Sequence, residues 1–423
     1  MIFEQHLKKY LSDEQIEQLL ASLEGKNTHA AILNTRKMSD EQFLKLFPLV
    51  KKHPIVAHAY IYEKELYDLG KSVYYELGCF YLQEPSAMIP SFLLSPNEDD
   101  IVLDLCAAPG GKTVQASFLM DGRGLIIAND IARDRTNILL ENVEKLGLPN
   151  VAITNNDFQK IEKNYENYFT KIILDAPCSG SGMFRKMEAM KGDWSYNKVL
   201  KYAEVQKSLI LSAYNMLAPG GTMVYSTCSF SMEENEEIVE YLLANTEAFE
   251  IEIEGRKEYF KPSKSAYGVH LFPSFFTGEG HYICLIGKAK NPQKTSKTEK
   301  NKRDFAYFSN SEHLFRYGDT KFFLEEKLLN KGLNIVRHGL KFSTIKGQDE
   351  IYDFHLSRAL ECFPNEILLQ EEEMNKYLKG ETVPVKCARG IVLLKYQSIP
   401  ISFGKSDGSQ IKNHYPKRLR KRN

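Results

Sequence analysis

The stretch "LDLCAAPGGKT", residues 103–113, decides how this 423-residue chain is read. It follows the apolar run "IVLDLCA" (101–107) and opens a helical pattern, so it is the turn of a strand–loop–helix unit. Gly110 and Gly111 permit close backbone approach to a ligand, and a helix N-terminus offers unpaired N–H groups. The loop narrowly misses a triphosphate-cradling pattern. Cys106 stands where that pattern needs glycine, and Pro109 removes one N–H. Outward from it, "GLIIAND" (124–130), "VAITNND" (151–157), "KIILDAP" (171–177) and "GTMVYSTC" (221–228) repeat the buried-strand signature, with amphipathic stretches such as "RTNILLENVEKLG" between them. Strands alternating with helices predict an α/β, doubly wound, mostly parallel sheet.

Carboxylates at the strand ends argue for a nucleoside ligand. Asp130, a little over twenty residues beyond the first strand, suits the two hydroxyls of a ribose. Asp157 follows the third strand and suits an adenine edge, and Asp175 ends the fourth. Ribose and adenine recognition without a triphosphate cradle points to S-adenosylmethionine. A nucleoside triphosphatase is the rival reading, with "KIILDAP" as its acidic strand.

Two of the seven cysteines close strands, Cys178 in "DAPCSGSGMFRK" (175–186) and Cys228 in "YSTCSFSMEENEEIV" (225–239). Adjacent strand ends would set both over one crevice. C5 of neutral cytosine is a poor nucleophile. A thiolate adding at C6 makes C5 able to take a methyl group, a carboxyl such as Asp175 meets the charge developing at N3, and a base removes the C5 proton. The base must be splayed out of any stack, and "SGSG" (179–182) gives the close approach such a pocket needs. These residues alone leave open which cysteine attacks. Ser231 with Glu234 is expected to form a capping box, while Glu233, Glu234, Glu236 and Glu237 oppose thiolate formation, leaving Lys186 or Lys112 to promote it. Cys79, Cys106, Cys284, Cys362 and Cys387 are expected in the core, without chemistry.

Composition excludes several classes. Lys plus Arg and Asp plus Glu number 55 each, so no global field draws in polyanions. Basic charge is local: seven basic residues against one acid in "KAKNPQKTSKTEKNKR" (288–303), and six in the last twelve residues. No C-x-x-C pair exists, so neither a zinc site nor a disulfide framework is expected, and no metal is assigned. Without a signal-like or membrane-spanning apolar run, a cytoplasmic protein with no membrane partner is expected.

"QEPSAM" (83–88), "LDLCAAPGGKT", "DAPCSGSGMFRK", "YSTCSFSMEENEEIV" and "GEGHY" (278–282), in this order, resemble the NOL1/NOP2/Sun family of RNA 5-methylcytosine methyltransferases over residues 75–290. The size and the C-terminal tail resemble its RsmF-type members, which act on small-subunit rRNA. The resemblance implies a class I methyltransferase, a Rossmann-like, mostly parallel seven-stranded sheet. It further implies that Cys106, Ala107, Ala108, Pro109, Gly110, Gly111 and Lys112, with Asp130, Asp157 and Asp175, hold S-adenosylmethionine. Cys228 would be the nucleophile, and Cys178 would assist proton removal and release. One departure is "YGVHLFPSFFTGEG": His270 and Pro273-Ser274 stand where the family has Arg and then Pro-His, so this loop receives no role.

The expected organisation is an α-rich, RNA-binding N-terminal segment (1–90), helical to about residue 60, where Ser12 caps a helix with Gln15. The methyltransferase domain (91–290), a basic linker (291–305) and a first C-terminal domain (306–368) follow, and the resemblance implies a PUA-like RNA-binding module (369–423) after them. The expected partner is RNA, 16S rRNA or the small ribosomal subunit, with no DNA, and the expected state is a monomer. A tRNA methyltransferase and a ribosome-assembly factor are the alternatives.

Overall fold

The computed structural model describes residues 3–253, 261–262, 267–289, 303–309, 312–326, 328–329 and 332–420. Residues 290–302, most of the expected basic linker, and the last three of the basic tail lie outside them.

Six strands form the heart of the molecule: β1 (Ile101–Asp104), β2 (Leu125–Asn129), β3 (Val151–Thr154), β4 (Phe169–Asp175), β5 (Leu217–Thr227) and β6 (His281–Lys288). Their spatial order is β3-β2-β1-β4-β5-β6, all parallel except β6, which runs antiparallel to β5 with Thr227 opposite Tyr282. Ala248–Ile251 adds the seventh expected strand on β6. Three short strands extend the sheet to ten: Val269–Leu271 and Lys261–Pro262 at one edge, and Ile335–His338 antiparallel on β3 at the other. The chain winds outward in both directions from β1 and β4, so their carboxyl ends flank the crevice where such sheets bind ligands.

Both faces of the sheet are buried, as the near-continuous apolar strands require. Successive side chains alternate between faces. Val102 and Ile126 join one cluster with Val114, Leu139 and Val143, from α1 (Gly111–Leu119) and α2 (Arg133–Leu146). Leu103 and Ile127 join the other with Ile210, Met216 and Leu242, from α3 (Tyr196–Met216) and α4 (Glu236–Asn245). Gly147 ends α2 at φ +69°, where a Cβ would lie 2.4 Å from the Arg358 carbonyl.

The N-terminal segment departs from the helical expectation. Ser12 and Gln15 do cap the helix Asp13–Leu23, but His29–Leu33, Lys51–Lys52, Ala59–Tyr62 and Phe80–Gln83 build an antiparallel sheet. These strands are two to five residues long, too short for their alternation to outweigh the capped helices beside them. Beyond the sheet core, one four-stranded sheet comprises Leu314–Tyr317, Thr320–Phe323, Leu340–Lys346 and Asp349–Tyr352. Another comprises Glu366–Leu368, Gly390–Tyr396, Ile399–Ser406 and Ile411–Asn413. The latter shares a core with the N-terminal sheet: Phe43, Tyr60 and Phe80 pack in one cluster with Met374, Tyr377 and Ile401. No helix among the described residues is long and apolar enough to cross a membrane.

Candidate active site

The loop after β1 is tied down by the next strand and helix. Asp130, 3% exposed, accepts from Ala108 N at 3.1 Å and from Ala132 N at 2.9 Å. Arg135 donates to the Ala108 carbonyl and faces Asp130 at 3.6 Å, while Asn142 donates to the Pro109 carbonyl. Gly110 sits at φ +117°, and a Cβ there would meet Leu139 at 2.8 Å, so the loop needs glycine at this position.

Asp104 is a feature the sequence reading passed over. It is fully buried, its Oδ2 accepts from Thr113 Oγ1 at 2.6 Å, and its Oδ1 has no partner. Burial pushes its carboxyl up to about 7, although Thr113 and Lys112 oppose the rise. An acceptor left open beneath a glycine-bearing loop suits an ammonium group. Asp130 keeps acceptor capacity for hydroxyls, since each carboxylate oxygen can accept twice. Asp157 is exposed and heads the helix Phe158–Glu162, its Oδ1 accepting from Gln159 N at 2.9 Å. An amino-acid head group with a nucleoside matches this donor and acceptor set, so the residues present fit S-adenosylmethionine.

Asp175 and Ser226 pair across β4 and β5, which carries Cys178 and Cys228 to neighbouring loops. The two sulfurs lie 3.1 Å apart. Their hydrogen bond, with burial, holds the Cys178 thiol well above the usual range, so Cys178 keeps its proton. Asp175 accepts from Lys112 Nζ at 2.6 Å and from Ser226 Oγ at 2.7 Å, with His281 Nε2 at 4.0 Å. Burial raises this carboxyl, but Lys112, His281 and Ser226 outweigh it and leave Asp175 below the ordinary carboxylate range. Lys112 is thereby engaged by Asp175, and Lys186 is exposed at the rim of a cleft.

The loops bearing the cysteines are joined by Glu234, and here the expected capping box fails. Ser231 makes no cap hydrogen bond. Glu234 instead turns inward, fully buried, to accept from Ser179 N at 2.7 Å and from the hydroxyls of Ser179 and Ser229 at 2.5 Å each. Three inward donors outcompete the single backbone N–H of a cap. Gly182 N donates to the Cys228 carbonyl at 2.7 Å, and a Cβ on Gly182 would sit 2.8 Å from that oxygen. Of the other acids near Cys228, Glu233 pairs with Lys9 and His6, and Glu236 with His270. The His270 strand thus has a structural contact, although the sequence assigned it no role.

"QEPSAM" and "GEGHY" meet behind Asp175. Glu84 accepts from Glu279 N at 2.7 Å and from Ser86 Oγ at 2.6 Å. Ser86 Oγ lies 3.1 Å from His281 Nδ1, completing a chain of contacts to Asp175. Burial and Lys112 lower the His281 pKa, keeping its ring neutral at pH 7. Beside this chain opens a cleft of about 280 Å³ lined by His29, Tyr62, Lys64, Glu84 and Lys186. Among the expected core cysteines, Cys79 and Cys284 are buried, whereas Cys106, Cys362 and Cys387 are partly exposed because each stands at a loop or turn outside the strands. Burial of the Cys106 thiol group still raises its pKa far above normal, so it stays protonated.

Sheet order, cofactor loop and strand-end carboxylates together define a class I S-adenosylmethionine-dependent methyltransferase. Structures described as a methyltransferase homolog from Pyrococcus horikoshii (28% identity, TM-score 0.58, 67% of this chain and 93% of that one) and as NSun6 from the same organism (21%, 0.61, 68% and 98%) share the fold. The family described as 16S rRNA methyltransferase RsmB/F matches residues 91–286, the N-terminal domain of 16S rRNA methyltransferase RsmF matches 2–85, and the methyltransferase RsmF PUA domain matches 364–421. Proteins named ribosomal RNA small subunit methyltransferase F from Vibrio campbellii and Vibrio parahaemolyticus are 30% and 31% identical. They cover 96% and 92% of this chain and 94% and 90% of their own lengths. The chain belongs to the 16S rRNA methyltransferase RsmB/F family, whose methyl donor is S-adenosylmethionine.

Proposed function

We propose that this chain methylates C5 of a cytosine in 16S rRNA of the small ribosomal subunit through a covalent cysteine–C6 adduct. The observation that carries the reading is the 3.1 Å approach of Cys178 Sγ to Cys228 Sγ beside the Asp175 carboxylate. The Cys178 thiol, held above its usual range by burial and by Cys228, is the poorer nucleophile of the two, which favours Cys228 as the attacking sulfur. Cys228 adds to C6, forming the S–C6 bond and moving electron density to C5, while Asp175 stabilises a proton held at N3. S-adenosylmethionine, held by residues 106–112 with Asp130, Asp157 and Asp175, supplies a methyl group activated as a sulfonium. Loss of the C5 proton to a water molecule, assisted by Cys178, then breaks the S–C6 bond and restores the Cys228 thiolate, and the proton at N3 leaves to solvent. His29 and Tyr62, with Lys64 and Lys186, give the adjacent cleft stacking faces and phosphate contacts for flanking nucleotides.

The proposed organisation is an RNA-binding N-terminal segment (1–90), the catalytic domain (91–290), a linker (291–305), a first C-terminal domain (306–368) and a PUA-like module (369–423), acting as a cytoplasmic monomer on RNA. The test uses the full chain and small-subunit rRNA. Cys178→Ala should accumulate a covalent RNA adduct, and Cys228→Ala should form none. An adduct in Cys228→Ala but not Cys178→Ala would reverse the two roles. Bisulfite sequencing of rRNA and tRNA from cells lacking the protein should lose a 5-methylcytosine in 16S rRNA, and loss only in tRNA would defeat the substrate.

A further inference from the structure

A second concentration of buried charge lies where three parts of the chain meet, away from both cysteines. Arg36 and Lys37 follow the N-terminal strand His29–Leu33, and Arg358 belongs to the helix Phe354–Ala359. Gln397 and Ser398 form the turn between Gly390–Tyr396 and Ile399–Ser406, at φ +48° and +70°. Together they line a cavity of about 190 Å³, with exposed Gln397, Ser398 and Glu361 at its rim.

The three cations have neutral partners. Arg36 donates to the Ala359 carbonyl at 3.2 Å and Lys37 to the Leu77 carbonyl at 3.2 Å. Arg358, 1% exposed, donates to the carbonyls of Pro400 at 3.3 Å and Glu76 at 3.1 Å. None of the three forms an ion pair among the described residues, and Arg36 Nε and Arg358 Nε are buried without any partner. Arg303, itself paired with Asp121 at 3.6 Å, adds to the crowding, since the Arg36 and Arg303 guanidinium groups converge on the same face of Gly122, while Asp121 and Glu361 favour the Arg36 charge. Burial together with Arg303 lowers Arg36 to about 9, and burial with Arg358 and Arg36 takes Lys37 well below its ordinary value. Part of this arrangement serves the fold, because Arg36 and Lys37 meet carbonyls at helix ends. Carbonyl dipoles, with the Asp121 carboxylate and the exposed Glu361 carboxylate at the rim, leave three like charges around a solvent-sized space incompletely neutralised, and an oxyanion would complete the balance.

We propose that this junction cavity is a binding site for a phosphate group, either one from an RNA backbone or a free phosphate. Guanidinium forks take two phosphate oxygens at once and the Lys37 ammonium takes a third, while Ser398 and Gln397 supply neutral donors at the rim. The volume holds a phosphate with a few waters. The ligand would stitch the N-terminal segment to the two C-terminal sheets.

The experiment titrates inorganic phosphate into the full chain at constant ionic strength, following thermal unfolding, and measures the salt dependence of rRNA binding. Phosphate should raise the melting temperature of the unmodified protein saturably, and Lys37→Met should weaken that effect at least about tenfold. Ser398→Glu, which puts a carboxylate at the exposed mouth without touching the packed residues, should abolish it and covers the case in which Lys37→Met does not fold. A fall of about one in the salt slope for RNA in these variants identifies a backbone phosphate. An unchanged slope with lost phosphate stabilisation identifies a free phosphate. Absence of saturable stabilisation together with an unchanged slope would overturn the site, as would equal stabilisation in all three proteins.

Discussion

The catalytic crevice and the three-part junction each hold buried or half-buried cations, yet they treat them in opposite ways. In and around the crevice the buried ones have carboxylates: Lys112 meets Asp175 at 2.6 Å and Arg185 meets Glu279 at 2.8 Å. At the junction Arg36, Lys37 and Arg358 donate to carbonyl oxygens, and Arg358 also meets the Tyr415 side chain and lies over the Phe354 ring, with no carboxylate paired to any of the three among the described residues. A crevice that balances its own charge can hold reactive groups in place before substrate arrives. A cavity with surplus charge is completed by what enters it.

The sharpest way to break this contrast is Lys112→Met, which strands Asp175 without its cation. The expected loss of stability is about 3 kcal/mol by urea unfolding, and pairing it with Asp175→Asn should recover most of that loss. Glu234→Gln comes next. It weakens the three bonds joining the cysteine loops, with an expected cost of about 1–3 kcal/mol and faster alkylation of Cys178 and Cys228 read by mass spectrometry. Third is a pH effect from Asp104, whose carboxyl is raised to about 7 from an ordinary 3.8. The buried acid prefers its proton, so its contribution to stability is full below about pH 4, declines as pH rises to about 7, and is flat above. The melting temperature should drift down over that window, and Asp104→Asn should flatten the drift. The smallest effect belongs to Lys37→Met in phosphate-free buffer: a change within about 1 kcal/mol, in the stabilising direction. Were it to cost as much as Lys112→Met, the contrast between the two regions would fail.

What the sequence made legible is local. "LDLCAAPGGKT" carries strand, turn and helix start within eleven consecutive residues, and the strand-end acids follow from the same repeating unit. The pairing of Cys178 with Cys228 was reachable because adjacent parallel strands end together. Glu234 was misread since its strongest partner, Ser179, stands 55 positions away, and a helix-start pattern was the nearer explanation. Glu84 and Glu279 are separated by 195 positions, so nothing short-range announces their bond. Asp104 was passed over for a different reason: an acid ending a buried strand looks the same in sequence whether or not its second oxygen has a partner.

The strand Ile335–His338 has a consequence for synthesis. It covers β3, the outermost parallel strand, and it leaves the ribosome roughly 180 residues after β3 does. At about 5–20 residues per second, β3 waits on the order of ten to forty seconds as an open strand edge. For that interval the nascent chain carries an aggregation-prone border, and its own downstream segment is the piece that retires it.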